Sequence, residues 1–261
     1  FLWLKANAGR YGWNEPAAEA PGATCPEPWH WEWVGDGGTL GATPVNADVV
    51  SMLPAANGNG YLIVTGLGKI TVHGADRSLG GADQLPLNRL VVGAAPTGDG
   101  GGYWLVASDG GIFTYGDAGF FGSTGSIRLN KPIVGLVPTA SSRGYWMVAS
   151  DGGIFTYGGA PFLGSLGATP ISGSVVGMAA TPDGRGYWLA TSAGRVYAFG
   201  DAAKIAAPPT AQPIVSIAAT HSGNGYWLAG AEGAVYRAGD APDLGSLSIA
   251  LNEPVVNMRQ T

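Results

Sequence analysis

The sequence predicts an all-β protein assembled from one repeated unit, and three observations carry that prediction. Tyr61, Tyr103, Tyr145, Tyr187 and Tyr226 each follow a glycine and precede an apolar residue, at steps of 42, 42, 42 and 39 residues, a period that marks an array of one supersecondary unit. A column of apolar, mostly β-branched pairs falls into the same register at Val49-Val50, Val91-Val92, Ile133-Val134, Val175-Val176, Ile214-Val215 and Val255-Val256. The chain of 261 residues also carries 45 glycines and 18 prolines, which suit short strands joined by tight turns and would break helices.

Each unit opens on its β-branched pair as a first strand. The second strand follows, as in Gly102-Tyr103-Trp104-Leu105-Val106-Ala107 and Gly144-Tyr145-Trp146-Met147-Val148-Ala149. Strand side chains alternate, so Tyr, Leu and Ala point one way while Trp and Val point the other, and both apolar faces need cover. Asp109-Gly110-Gly111 and Asp151-Gly152-Gly153 then reverse the chain into a third strand, Ile112–Gly116 or Ile154–Gly158, which is a hairpin signature. A short fourth strand is expected at Phe120–Ser123 and Phe162–Ser165. Four antiparallel strands per unit of about 42 residues, apolar on both faces, match a β-propeller blade sandwiched between its neighbours.

Five full units are visible, then a sixth opening strand near Thr261. A six-bladed ring is preferred, its last blade assembled from both chain ends. Leu2–Asn7 reads like a second strand and Trp31–Asp36 like a third, and closure would remove exposed sheet edges. Five blades with an overhang, or a piece of a longer array, are the alternatives. The strand order and the Thr181-Pro182-Asp183-Gly184 turn are similar to WD-repeat blades, without the Trp-Asp dipeptide. Gly-Tyr-Trp-Leu-Val-Ala-Ser-Asp-Gly-Gly-Ile-Phe, residues 102–113, resembles a repeat found in multiples on bacterial secreted and cell-wall proteins. That resemblance covers residues 49–251 and implies an extracellular or cell-wall location.

Residues 1–36 break the repeat and hold five of the nine tryptophans, Trp3, Trp13, Trp29, Trp31 and Trp33. Trp3–Trp13 followed by Glu27-Pro28-Trp29-His30-Trp31 resembles the last part of a VanY-type D-alanyl-D-alanine carboxypeptidase. The resemblance implies that His30 is a zinc ligand and Glu27 the general base on a zinc-bound water, in a complete peptidase domain. Zinc would lower the water's pKa towards neutrality and the carboxylate would take its proton. The family's other two ligands belong to an upstream histidine–aspartate motif that these 261 residues lack, so no zinc is expected in the chain alone. The expected division is a peptidase-like remnant over 1–36 and a repeat domain over 37–261. Phe1 in place of a start methionine points to a processed product or a fragment.

Other residues are read more plainly. A net charge of −5 without a basic run argues against a nucleic-acid partner, and no apolar run is long enough for a bilayer span. Cys25, the single cysteine, is expected to be a free thiol. The Tyr–Trp pairs are assigned to the core in preference to sugar-stacking platforms. Asp117, Asp201 and Asp240 are assigned to turn capping in preference to calcium, which needs six to eight oxygens. His73 and His221 occupy repeat positions, His221 in an exposed loop. Together these readings describe a non-catalytic binding module attached to a wall-modifying peptidase, with peptidoglycan, a glycan or a surface protein as partner. An active zinc carboxypeptidase, once joined to upstream residues, and a structural cell-surface subunit are the alternatives.

Overall fold

Apolar strands of six residues open at five of the six β-branched pairs. The computed structural model describes residues 13–14, 32–33, 49–55, 59–74, 77–247, 249, 251 and 253–259, in two compact units, Phe1–Asp48 and Val49–Thr261. In the first unit, β1 (Trp13–Asn14) pairs antiparallel with β2 (Glu32–Trp33), Trp13 opposite Trp33. The remainder of Trp31–Asp36, expected as the third strand of a closing blade, lies outside the described residues, as does Leu2–Asn7.

The second unit contains five three-stranded antiparallel sheets. They are β3 (Val49–Pro54), β4 (Gly60–Thr65) and β5 (Ile70–Gly74); β6 (Val91–Pro96), β7 (Gly102–Ala107) and β8 (Ile112–Gly116); then β9 (Ile133–Pro138), β10 (Gly144–Ala149) and β11 (Ile154–Gly158). The remaining two are β12 (Val175–Ala180), β13 (Gly186–Thr191) and β14 (Val196–Gly200), and β15 (Ile214–Ala219), β16 (Gly225–Gly230) and β17 (Val235–Gly239). The Gly-Tyr strand is central in every sheet. First strands lie beside first strands, in the order β3, β6, β9, β12, β15. The described residues contain no helix, and so none long and apolar enough to cross a membrane.

Alternation on the central strand explains how the sheets pack. Trp104 and Val106 of β7 meet Tyr145 and Met147 of β10 in one cluster, and Trp146 and Val148 meet Tyr187 and Leu189 in the next. Trp188 and Ala190 meet Tyr226 and Leu228 in the same way. The three sheets from β6 to β14 therefore offer their Trp face to the following sheet, the four from β6 to β17 offer their Tyr face to the preceding one, and β7, β10, β13 and β16 are buried from end to end. An aromatic side chain burying about 150–250 Å² contributes roughly 4–6 kcal/mol of apolar transfer before its ordering entropy is counted. Tyr61, first in the column, departs from this pattern: it is 40% exposed and stacks on His73, ring centroids 4.9 Å apart.

The hairpin turns are built as the sequence predicts. Asp109 and Asp151 each accept, on Oδ1, the N–H two residues ahead, at 2.9 Å, and the glycine between adopts a φ of 78° or 80° that a Cβ disfavours.

The expected fourth strand is not formed. Residues 118–123 and 160–165 carry no ladder pairing, and side chains from two sheets hold them instead. Trp104 Nε1 donates to Gly119 O at 2.7 Å, Trp146 Nε1 to Pro161 O at 2.7 Å, Trp188 Nε1 to Ala203 O at 2.8 Å and Trp227 Nε1 to Pro242 O at 2.9 Å. From the following sheet, the Tyr145 hydroxyl donates to Gly122 O at 2.5 Å and accepts from Phe121 N–H at 3.2 Å. Tyr103 and Tyr187 bond to Gly80 O and Gly164 O in the same manner, both at 2.6 Å. Backbone groups that a fourth strand would pair are satisfied by an indole and a phenol, so the ladder stops at three strands.

Each first strand carries a β-bulge at its second residue. The register passes from Val91 opposite Ala107 to Gly93 opposite Val106, skipping Val92, and the same slip skips Val50, Val134, Val176 and Val215. A bulge re-aims the side chain it releases. These five valines, together with Val256, line a single cavity. Residues 253–259 are not a strand, yet Val255 N–H donates to Ala231 O at 2.9 Å, repeating the bonds from Val91 to Gly66, Ile133 to Ser108, Val175 to Ser150 and Ile214 to Ser192. The C-terminal segment thus docks on the last hairpin as each first strand docks on the hairpin before it.

Candidate functional site

The sequence placed its sharpest chemistry on Glu27 and His30, and both lie outside the described residues, as does Cys25. Among the described residues, no group of three or more His, Cys, Asp or Glu comes together as a metal site. His221 sits in an exposed turn and His73 on an exposed strand end, far apart in the chain and each engaged locally. The Tyr–Trp pairs are core: Tyr145, Trp146, Tyr187 and Trp188 are fully buried.

The repeated carboxylates cap turns. Gly102 N–H donates to Thr97 Oγ1 at 2.9 Å, and that hydroxyl lies 2.8 Å from Asp99 Oδ1 and 3.1 Å from Asp117 Oδ1. In the last sheet, Thr220 Oγ1 lies 2.9 Å from Asp240 Oδ1, while Ser222 Oγ donates to Asp240 Oδ2. Hydrogen bonds from the Thr97 hydroxyl and then Gly101 N–H hold the Asp99 carboxyl below its ordinary range, and the Thr181 hydroxyl and Arg185 N–H do the same for Asp183. These groups tie the first strand of a sheet to its second.

The buried tyrosines shift the other way. Burial raises Tyr145 and Tyr187, and pushes Tyr226 up to about 12. A phenol whose folded pKa lies above its unfolded value of 10.0 contributes stability that is complete below pH 10 and is lost as pH rises through the folded value. Stability measured by urea unfolding is therefore expected to hold up to about pH 10 and to fall between about pH 10 and 12. Phenolate absorbance should rise in that range together with unfolding. Full ionisation of all ten tyrosines near pH 10 in a still-folded chain would contradict this burial.

Several openings among the described residues offer room for a ligand, and two of them stand out by their charge and their place in the repeat. The first is an open groove of about 470 Å³ at the joint of the second and third repeats, lined by Arg89, Arg128, Lys131, Asp109 and Asn130 among others. Arg89 and Lys131 hold the same repeat position, in Leu87-Asn88-Arg89 and Leu129-Asn130-Lys131. All three cationic residues are exposed, and Asp109 supplies the single carboxylate among the lining residues. In an acidic chain this groove concentrates positive charge. A search for basic runs misses it, because the three residues are separated along the chain; aligning the repeats would have found the pair at 89 and 131. Exposed Phe120 and Phe162, 61% and 62% accessible, also share one repeat position. The second feature is the valine-lined cavity, about 270 Å³ in volume.

Compared with known proteins, the chain matches no protein-family model and no curated protein.

Proposed function

We propose that the chain is a non-catalytic β-propeller binding module of a secreted or cell-wall-associated bacterial protein, with peptidoglycan as the partner. Support for the propeller reading comes from the six equivalent valines around one cavity, which is what a ring of inward-facing first strands produces, with residues 255–259 at the sixth position. Blades in this reading have three strands and a side-chain-clasped return segment. The observation that carries the binding role is the cationic groove of Arg89, Arg128 and Lys131. Stem peptides of peptidoglycan end in carboxylates, and an open groove with three cations against one carboxylate suits such a ligand better than it suits a catalytic centre.

A second reading, an active zinc D-alanyl-D-alanine carboxypeptidase when joined to upstream residues, rests on Glu27-Pro28-Trp29-His30. Binding to sacculi tests the first reading. Purified chain should co-sediment with bacterial sacculi at low salt and be released at high salt. Simultaneous Arg89→Ala, Arg128→Ala and Lys131→Ala substitution should weaken binding about tenfold or more, because exposed residues can be truncated with little effect on folding. The second reading is tested with the upstream segment restored, where D-alanine release from a stem peptide and its loss in His30→Ala are expected. Salt-independent sedimentation, or sedimentation unchanged in the triple variant, removes the groove from this role.

A further inference from the structure

The valine-lined cavity ends on a charge that the repeat does not call for. Arg259 belongs to the C-terminal segment, and its guanidinium reaches between the first strands to donate from Nη2 to Ala94 O on β6. Its Nε is buried and has no hydrogen-bond partner among the described residues. The residue as a whole keeps part of its surface accessible, but the charged end lies inside, where burial draws its pKa down to about 10. At neutral pH it is therefore still a cation. Among the described residues none of the others lining the cavity is ionisable: the side chains are those of valines, alanines, Leu136, Met178 and similar apolar residues, with Ser216 and Asn257 as neutral polar members, and backbone groups supply much of the exposed wall. Ser216 Oγ is already engaged with Asn257 and the Met258 backbone.

We propose that this cavity binds a small monocarboxylate anion, held by Arg259 through Nε and an adjacent nitrogen and surrounded by the bulged valines of the first strands. A buried guanidinium without a carboxylate is unfavourable unless a counter-charge joins it. Guanidinium presents its donors as a planar fork that a carboxylate matches in two parallel bonds. The six equivalent valine side chains offer a short alkyl group apolar contact behind that carboxylate, backbone groups line the rest of the wall, and one positive charge selects a monoanion over a dianion or a metal cation. A volume of about 270 Å³ lies just below the range of drug-sized sites and suits a ligand of a few heavy atoms. This inference is independent of wall binding, since Arg89, Arg128 and Lys131 do not line the cavity.

The test exchanges sodium chloride for sodium acetate or sodium propionate at constant ionic strength and reads the melting temperature of the chain. The transition should rise saturably with either carboxylate, propionate acting at lower concentration than acetate. Arg259→Met fills the same space without the charge, so it should fold with a melting temperature equal to or above that of the parent in chloride. Its response to carboxylate should be lost. Arg259→Lys should bind at least about tenfold more weakly, through loss of the fork. Gly135→Val leaves Arg259 intact but narrows the cavity, so it should also blunt the response, which keeps the test decisive if the Arg259 variants fail to fold. No change on exchanging chloride for acetate and propionate would overturn the proposal. So would an equal response in Arg259→Met, or in a folded Gly135→Val chain.

Discussion

Trp146→Ala is expected to destabilise the second unit by about 3–5 kcal/mol in urea unfolding, the range for removing a large buried aromatic. The residue is fully buried between β9–β11 and β12–β14, where its ring meets Tyr187 edge-on at 6.0 Å between centroids. Two losses add. The apolar contacts of the indole disappear into a cavity that rigid neighbouring sheets cannot collapse, and Pro161 O loses the donor that ties down the return segment. For a domain of this size the same loss corresponds to about 6–20 °C in melting temperature. Trp146→Phe should cost less, since most of the apolar area remains and the lost hydrogen bond dominates. Tyr187→Phe should cost about 1–3 kcal/mol, because Gly164 O and Leu163 N–H both lose their hydroxyl partner. A Trp146→Ala loss under about 1 kcal/mol would show that these sheets do not depend on the Trp–Tyr contact between repeats.

The repeat made this contact legible before any coordinates. Tyrosine and tryptophan adjacent on a strand must face opposite ways, and a strand apolar on both faces must have a sheet on each side. The first and second strands of the five sheets begin at the β-branched pairs and the Gly-Tyr steps, and β8 and β11 follow the Asp-Gly-Gly turns as expected. The three-stranded limit was not legible, because Phe120–Ser123 has strand-like composition and its backbone partners come from residues 15 and 23 positions away. Pattern reading pairs neighbours of like periodicity; it does not see an indole taking the place of a ladder partner. The bulges were hidden for a related reason, since skipping Val92 or Val176 leaves the sequence pattern unchanged while turning the side chain into the cavity. Arg259 carried no signal of its own either, as one cation near a chain end reads as solvated until its guanidinium is seen among valines.

The glycine of the recurrent Gly-Tyr step has a cause in the backbone of the sheet. Gly144 at the start of β10 lies opposite Gly158 at the end of β11, and every sheet repeats this glycine pair. Gly158 adopts a φ of 62°, and a Cβ placed there would come within 2.9 Å of Gly144 Cα and closer still to the Arg143 carbonyl. Both obstacles are backbone, which cannot swing aside as a side-chain end can. Gly158→Ala is therefore expected to cost about 2–4 kcal/mol, combining left-handed strain of about 1–2 kcal/mol with overpacking of about 1–3 kcal/mol. Gly135→Ala serves as the contrast. Its Cβ would find its nearest neighbour, Val148, at an ordinary 3.8 Å, and a glycine whose conformation an alanine can share gains about 0.4–1 kcal/mol through the unfolded chain. The two substitutions add the same methyl to strands of one sheet, so unfolding midpoints that move in opposite directions would assign the effect to backbone approach at the hairpin end. Equal shifts in the two variants would place the cause in general glycine entropy and would remove the glycine pair from what sets the strand lengths.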